Sequence, residues 1–253
     1  MPDKPAPLTH LPEWRGLAQL KDLLAGTPIR DLFRDDPQRA QRYLVSGAGL
    51  TLDFSRNRLT DATFNALMDL AQACGLEQQR NALFDGGIVN RTENRPALHT
   101  ALRQPRGQDV RVHGENIIPE VHATLDRMAE LVSAITEGRH TGYTNKPFTD
   151  VVSIGIGGSF LGPKLVVEAL NPFWQGQLNC HFVANIDGTD IAETLRSLNP
   201  ETTLFLVQSK SFRTQETLDN SLLARQWFLD KSGSQPAVAR HFLAVTANVG
   251  EAI

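Results

Sequence analysis

Cysteine is scarce: two in 253 residues cannot make a disulfide framework. Cys74 and Cys180 stand far apart, in no CxxC or metal-like spacing, so they read as free thiols of a reducing compartment, buried as small apolar side chains. Long apolar runs are also missing, and no stretch is apolar enough to cross a bilayer. The start, Met1 to Trp14 with Pro2, Pro5, Pro7 and Pro12, lacks the basic-then-apolar pattern of a secretion signal. Blocks of one charge sign are absent: the net charge is −3, with Lys and Arg scattered among Asp and Glu, which argues against a nucleic-acid or membrane surface. None of the seven histidines pairs with another His or Cys at helical spacing, so no metal site is visible. Neither an internal repeat nor a low-complexity tract occurs. These exclusions leave a cytoplasmic protein of a small soluble ligand, with no cofactor or metal implied.

What is present divides near residue 115. The first part, 1–115, reads as mostly helical, with weak apolar periodicity at 17–24 and 59–73 and a short strand at 50–54. The clearest helix spans 117–138. Ile118, Val121, Leu125, Met128, Val132 and Ile135 recur at three- and four-residue intervals, Pro119 fits the first turn, and Gly138 is a stop. Residues 116–253 then form an α/β domain. Short apolar runs at 151–156, 181–184, 203–207 and 242–246 alternate with helical patterns at 161–170, 191–198 and 218–229. Runs without in-out alternation are strands buried on both faces, so the expected fold is a doubly wound parallel sheet preceded by a mostly helical region. Residues 249–253 begin a further crossover of less than two turns, so the sheet reads as incomplete at its carboxyl end.

Chemistry concentrates where two of these strands end. VVSIGIGGSFLGP (151–163) sets glycines and a serine at a strand-to-helix turn, where close backbone approach and helix amides suit an anion. It is not a dinucleotide fingerprint, because Phe160 stands where the third glycine belongs. Nor is it a Walker A loop, because Pro163 follows Gly162 and Lys164 comes one place late. A tight turn with no ligand is the competing reading. The strand at 203–208 runs into Ser209, Lys210, Ser211, Phe212, Arg213 and Thr214. There hydroxyls, a cation and a helix start make a recipe for a phosphomonoester pocket, with ordinary helix capping as the alternative. Parallel strands end on one edge, so both loops can face one ligand.

Four ordered segments carry a family resemblance: NRTENRPALHTALR (90–103), TDVVSIGIGGSFLGP (149–163), NIDGT (185–189) and NPETTLFLVQSKSFRTQET (199–217). Together they resemble the phosphoglucose isomerase family over most of 85–253. The resemblance implies that Gly158 and Ser159 contact the sugar or its phosphate, and that Ser209, Lys210, Ser211 and Thr214 form the phosphate cradle. It also implies a supporting role for Glu216, for which a first-turn helix carboxylate is the simpler explanation. The implied reaction is aldose–ketose isomerisation of glucose 6-phosphate and fructose 6-phosphate, by a homodimer in the complete enzyme. The family's Gly-Gly-Arg signature, base and ring-opening residues have no match in this sequence, which predicts little activity for this chain alone. Three positions depart from the family: Phe160 replaces Asp, Ser211 replaces Thr with its hydroxyl kept, and Arg213 replaces Thr and is expected to face solvent. Among the histidines only His99 falls in a family-like segment, with packing as its expected role. A non-catalytic sugar-phosphate-sensing domain is the alternative function, and a nucleotide-binding domain a third reading against which the broken loop motifs count.

Overall fold

The computed structural model describes residues 7–176 and 178–252. Met1, Pro2 and Pro5 of the amino-terminal stretch, and Ile253 at the end of the expected last crossover, lie outside the described residues. The chain forms two compact units, one up to His122 and the other from Ala123 onward.

The first unit contains α1 (Pro12–Leu24), α2 (Ile29–Asp35), α3 (Arg39–Arg42), β1 (Leu44–Gly47), β2 (Leu50–Asp53), α4 (Asp61–Ala73) and α5 (Leu76–Phe84). Among the described residues the short antiparallel pairs are β1–β2, then β3 (Ile88–Asn90) with β4 (Arg95–Pro96), and β5 (Arg111–Val112) with β6 (Glu115–Asn116). Pro12 stands at the start of α1, where no N–H is needed, and Thr60 caps α4 by accepting from Thr63 N at 3.3 Å. The β1–β2 turn uses Ala48 (φ 52°) and Gly49 (φ 76°), two left-handed residues as the tight hairpin turn demands. Buried Arg39 organises the unit's interior. Its guanidinium lies 4.4 Å from the Tyr43 ring centroid and donates to the carbonyls of Ser55 (2.7 Å) and Asn57 (2.8 Å). A buried charge needs such partners.

The division between units falls inside α6 (Ile118–Thr136). Beyond it, β7 (Asp150–Ile154), α7 (Gly158–Leu170), β8 (Asn179–Val183), α8 (Gly188–Arg196), β9 (Thr203–Gln208), α9 (Gln215–Ser232), α10 (Val238–His241) and β10 (Phe242–Val245) follow in order. The four strands form one parallel sheet in the order β10-β9-β7-β8. The expected α/β class and parallel sheet are observed. The chain adds β8 on one side of β7, crosses back to β9 on the other, and then adds β10, so crossover helices lie on both faces. Val152, Ile154, Val183 and Phe205 pack with Ile191 and Leu195 of α8 and Ala224 of α9 in the buried core.

Two details correct the sequence reading. Cys74 is half-buried and Cys180 exposed, so the thiols are free but not the buried pair expected. His99 is exposed rather than packed. A third group carries no signal in the sequence: His241 is fully buried, ringed by Tyr143, Phe148 and Phe228. Its Nδ1–H donates to Thr203 O (2.7 Å) while Nε2 accepts from Tyr143 N–H (2.9 Å). Both ring nitrogens are therefore committed in the neutral form, and burial pushes its pKa below the ordinary value. Gly142 beside it has no room for a side chain, since a methyl group there would stand 2.0 Å from Glu201 O.

Candidate functional site

In the parallel register Ile154 of β7 stands opposite Val207 of β9 and Val183 of β8, so these three strands end together at one edge. The loop after β7 turns sharply. Gly157 has φ 57° and ψ −121°, a conformation open only to glycine, and the amides of Phe160 and Leu161 close back on its carbonyl at 3.1 and 2.8 Å. Gly155 is the contact point with the next loop. A methyl group on it would lie 3.0 Å from both Cβ and O of Ser159, and 3.2 Å from the carbonyl of Gln208 at the end of β9. Glycine therefore lets the Ser159 turn nest directly against the start of the second loop. Gln208 strengthens the link by donating from Nε2 to Ser153 Oγ at 2.7 Å.

The second loop occupies 209–214. Ser209 is buried and donates its hydroxyl to Thr214 Oγ1 at 3.3 Å, closing the loop across its base. Thr214 stands at the N-cap of α9 but makes no capping hydrogen bond to the helix. The capping alternative is thus not realised, and the first-turn amides of an 18-residue helix keep their usual demand for an acceptor. Lys210 and Ser211 are exposed at the rim, and Glu216 is half-buried in the first turn. Phe212 adopts φ 54°, a left-handed conformation that costs a bulky L-residue roughly 1–2 kcal/mol. Gly158 is exposed and Ser159 half-buried. All the residues expected from the sequence thus sit at one sheet edge, with Ser209 more enclosed than a direct ligand contact requires.

Arg213 is 70% exposed, as expected, yet its guanidinium reaches Glu251 Oε1 at 2.7 Å. This points to a third segment, which the sequence presents only as an interrupted crossover. The turn after β10 lies against the second loop: Thr246 Oγ1 and Ala247 N–H both donate to Lys210 O (3.2 and 3.1 Å), and Asn248 Nδ2 donates to Ser211 O (3.1 Å). Strand β10 before it is only partly buried, and nothing in the local sequence marks the contact. The NIDGT segment after β8 is occupied with its own turn. Asp187 accepts from Thr189 N (2.9 Å), which holds its carboxyl below the usual range, and Asn220 of α9 donates to Asn185 O (2.8 Å).

The opposite end of the sheet has a different character. Burial disfavours the charge on Asp150, but hydrogen bonds from His181 (2.8 Å), Thr149 (2.7 Å) and Asn179 (3.3 Å) outweigh it and lower its pKa. Near this edge a cavity of about 400 Å³ is lined by Val166, Val167, Leu170, Trp174 and Leu178, among others, a wall without cations and unsuited to a phosphate. Among the described residues no group of three or more His, Cys, Asp or Glu is placed to hold a metal ion, and no helix is long and apolar enough to cross a membrane.

Architecture and loops define a class: a doubly wound α/β domain that gathers a glycine-rich turn and a hydroxyl-rich turn at neighbouring strand ends. The chain belongs to the phosphoglucose isomerase family, whose model matches residues 53–252. It is 53% identical over 245 residues to the glucose-6-phosphate isomerase of Shewanella amazonensis, and 51% identical over 239 residues to that of Hahella chejuensis. Those alignments take in 97% and 94% of this chain but 45% and 43% of the relatives, so the chain spans less than half their length. A crystal structure of a glucose-6-phosphate isomerase from Chlamydia trachomatis superposes with a TM-score of 0.76 at 30% identity, covering 94% of this chain and 45% of that one.

Proposed function

We propose that this chain is the phosphate-anchoring portion of a cytoplasmic, homodimeric glucose-6-phosphate isomerase, with residues 116–253 as its first sugar-isomerase domain. The observation that carries the reading is the meeting of the Ser159 turn and the 209–214 loop beside the uncapped start of α9. In this reading Gly158 and Ser159 bind one side of the sugar phosphate. Ser211 and Thr214 donate hydroxyls, Lys210 supplies charge, and Ser209 holds Thr214 in place while sharing in the cradle. Glu216 takes a supporting role. An anchored phosphate fixes the sugar, so that a carboxylate base can carry the proton between C1 and C2 with a cation stabilising the oxyanion. In this reading those groups lie in the part of the relatives that this chain does not cover, so the chain alone is expected to bind and hardly to turn over.

Calorimetric titration of the 253-residue chain with fructose 6-phosphate, ATP and NAD tests this. Binding of the sugar phosphate alone is expected; Thr214→Ala should weaken it by roughly 1.5–3 kcal/mol, the value of a charge-assisted hydrogen bond, and Ser209→Ala by less, because its hydroxyl is given to Thr214. Preference for either nucleotide, or unchanged affinity in both variants, refutes the assignment.

A further inference from the structure

The turn after β10 does something that phosphate binding by the 209–214 loop does not itself explain. Lys210 O receives two hydrogen bonds and Ser211 O one, all from residues 246–248. These two carbonyls precede Phe212, whose left-handed backbone is the disfavoured point of the loop. Strained conformations persist where the surroundings over-determine them. One determinant lies in the loop itself, where Phe212 N–H donates to Ser209 O (3.2 Å), and the others come from a separate segment: Ser209 N–H donates to Val245 O (3.1 Å) at one end, and Asn248 Nδ2 holds the carbonyl just before Phe212. Thr246 is itself fixed, because its Oγ1 accepts from Asn248 N–H (3.0 Å). The Arg213–Glu251 pair lies in the open, where screening leaves it little weight.

We infer that Thr246 and Asn248 are positioning residues of the anion loop, bracing residues 210–212 so that the Lys210 and Ser211 carbonyls are held by protein donors and directed away from a bound anion. A carbonyl oxygen turned toward a dianion would repel it, so occupying those lone pairs with donors favours binding without either residue touching the ligand. The inference rests on the phosphate reading given above, and it adds a third strand end to the site.

The test uses the 253-residue chain, with fructose 6-phosphate and inorganic phosphate as probes. Asn248→Ala and Thr246→Val are each expected to weaken both probes about tenfold, the scale of one lost hydrogen bond's organising effect. Because the brace opposes backbone strain, Phe212→Gly should remove most of its importance. In that background Asn248→Ala is expected to cost about twofold or less, a rescue that a merely structural role does not predict. Equal losses in the parental and Phe212→Gly backgrounds, or parental affinity in both single variants, would overturn the brace while leaving the phosphate reading standing. Should the parent bind neither probe, the phosphate reading fails first and the brace with it.

Discussion

His241 shows how one buried side chain contributes to the molecule's response to acid. Its two ring nitrogens are spent on Thr203 O and Tyr143 N–H, so a second ring proton would leave the Tyr143 amide facing a donor. Desolvation holds the folded pKa below the unfolded value of about 6.5. The unfolded chain therefore takes up a proton that the native state refuses. This contribution to stability is complete above that unfolded value and is lost as pH falls toward the folded pKa. Urea unfolding between about pH 8 and 5 should show stability declining by at most about 1.4 kcal/mol per pH unit from this group, and His241→Gln should flatten the decline even as it lowers stability throughout. An identical slope in the variant would remove His241 as the cause. Asp150 acts in a separate window: its folded pKa is also lowered, but from a carboxylate value, so its share is lost only in stronger acid. None of this is legible in the sequence. The surroundings of His241 come from segments far apart along the chain, and the same limit explains why the burial expected of His99 and of both cysteines is not observed.

Elements are far easier to read, because periodicity is a local property. The strands expected at 151–156, 203–207 and 242–246 and the helix at 117–138 are present as β7, β9, β10 and α6, with ends shifted by a residue or two. Strand β1 has no such signature: Leu44–Gly47 is exposed throughout and owes its existence to hairpin pairing with β2 rather than to an apolar pattern. The first candidate loop is legible because glycine reports backbone geometry directly. Two adjacent glycines there should nevertheless behave oppositely. Gly157→Ala forces a Cβ onto φ 57°, ψ −121° and is expected to destabilise by about 1–3 kcal/mol. Gly158→Ala falls in the first turn of α7 with open space around the added methyl, and should be neutral or stabilise by up to about 1 kcal/mol. Chemical denaturation of the two variants checks this, and equal effects would mean the turn is not held as described. The brace at 246–248 is illegible for the converse reason: its hydrogen bonds join residues 36 and 37 positions apart that only the parallel register brings together.

At the scale of the whole molecule, family membership is readable because four motifs occur in the right order, and the family match covers 53–252. Each unit carries its own organising centre, buried Arg39 in one and the sheet core in the other. The order β10-β9-β7-β8 makes the earliest of the four strands an inner one, paired on both sides, while among the described residues β8 and β10 each have one paired side. Hydrogen exchange on the native chain should follow suit, with β7 and β9 amides the last to exchange and β8 and β10 well ahead of them. Uniform exchange across the four strands would contradict this. The same order bears on how the chain acquires its shape during synthesis: β7 leaves the ribosome before either neighbour exists, and each pairing must wait for a crossover helix to be made and the intervening loop to close. The glycine turn that follows β7 is thus translated well before the hydroxyl loop it must meet, so the two cannot nest until β9 has emerged and paired.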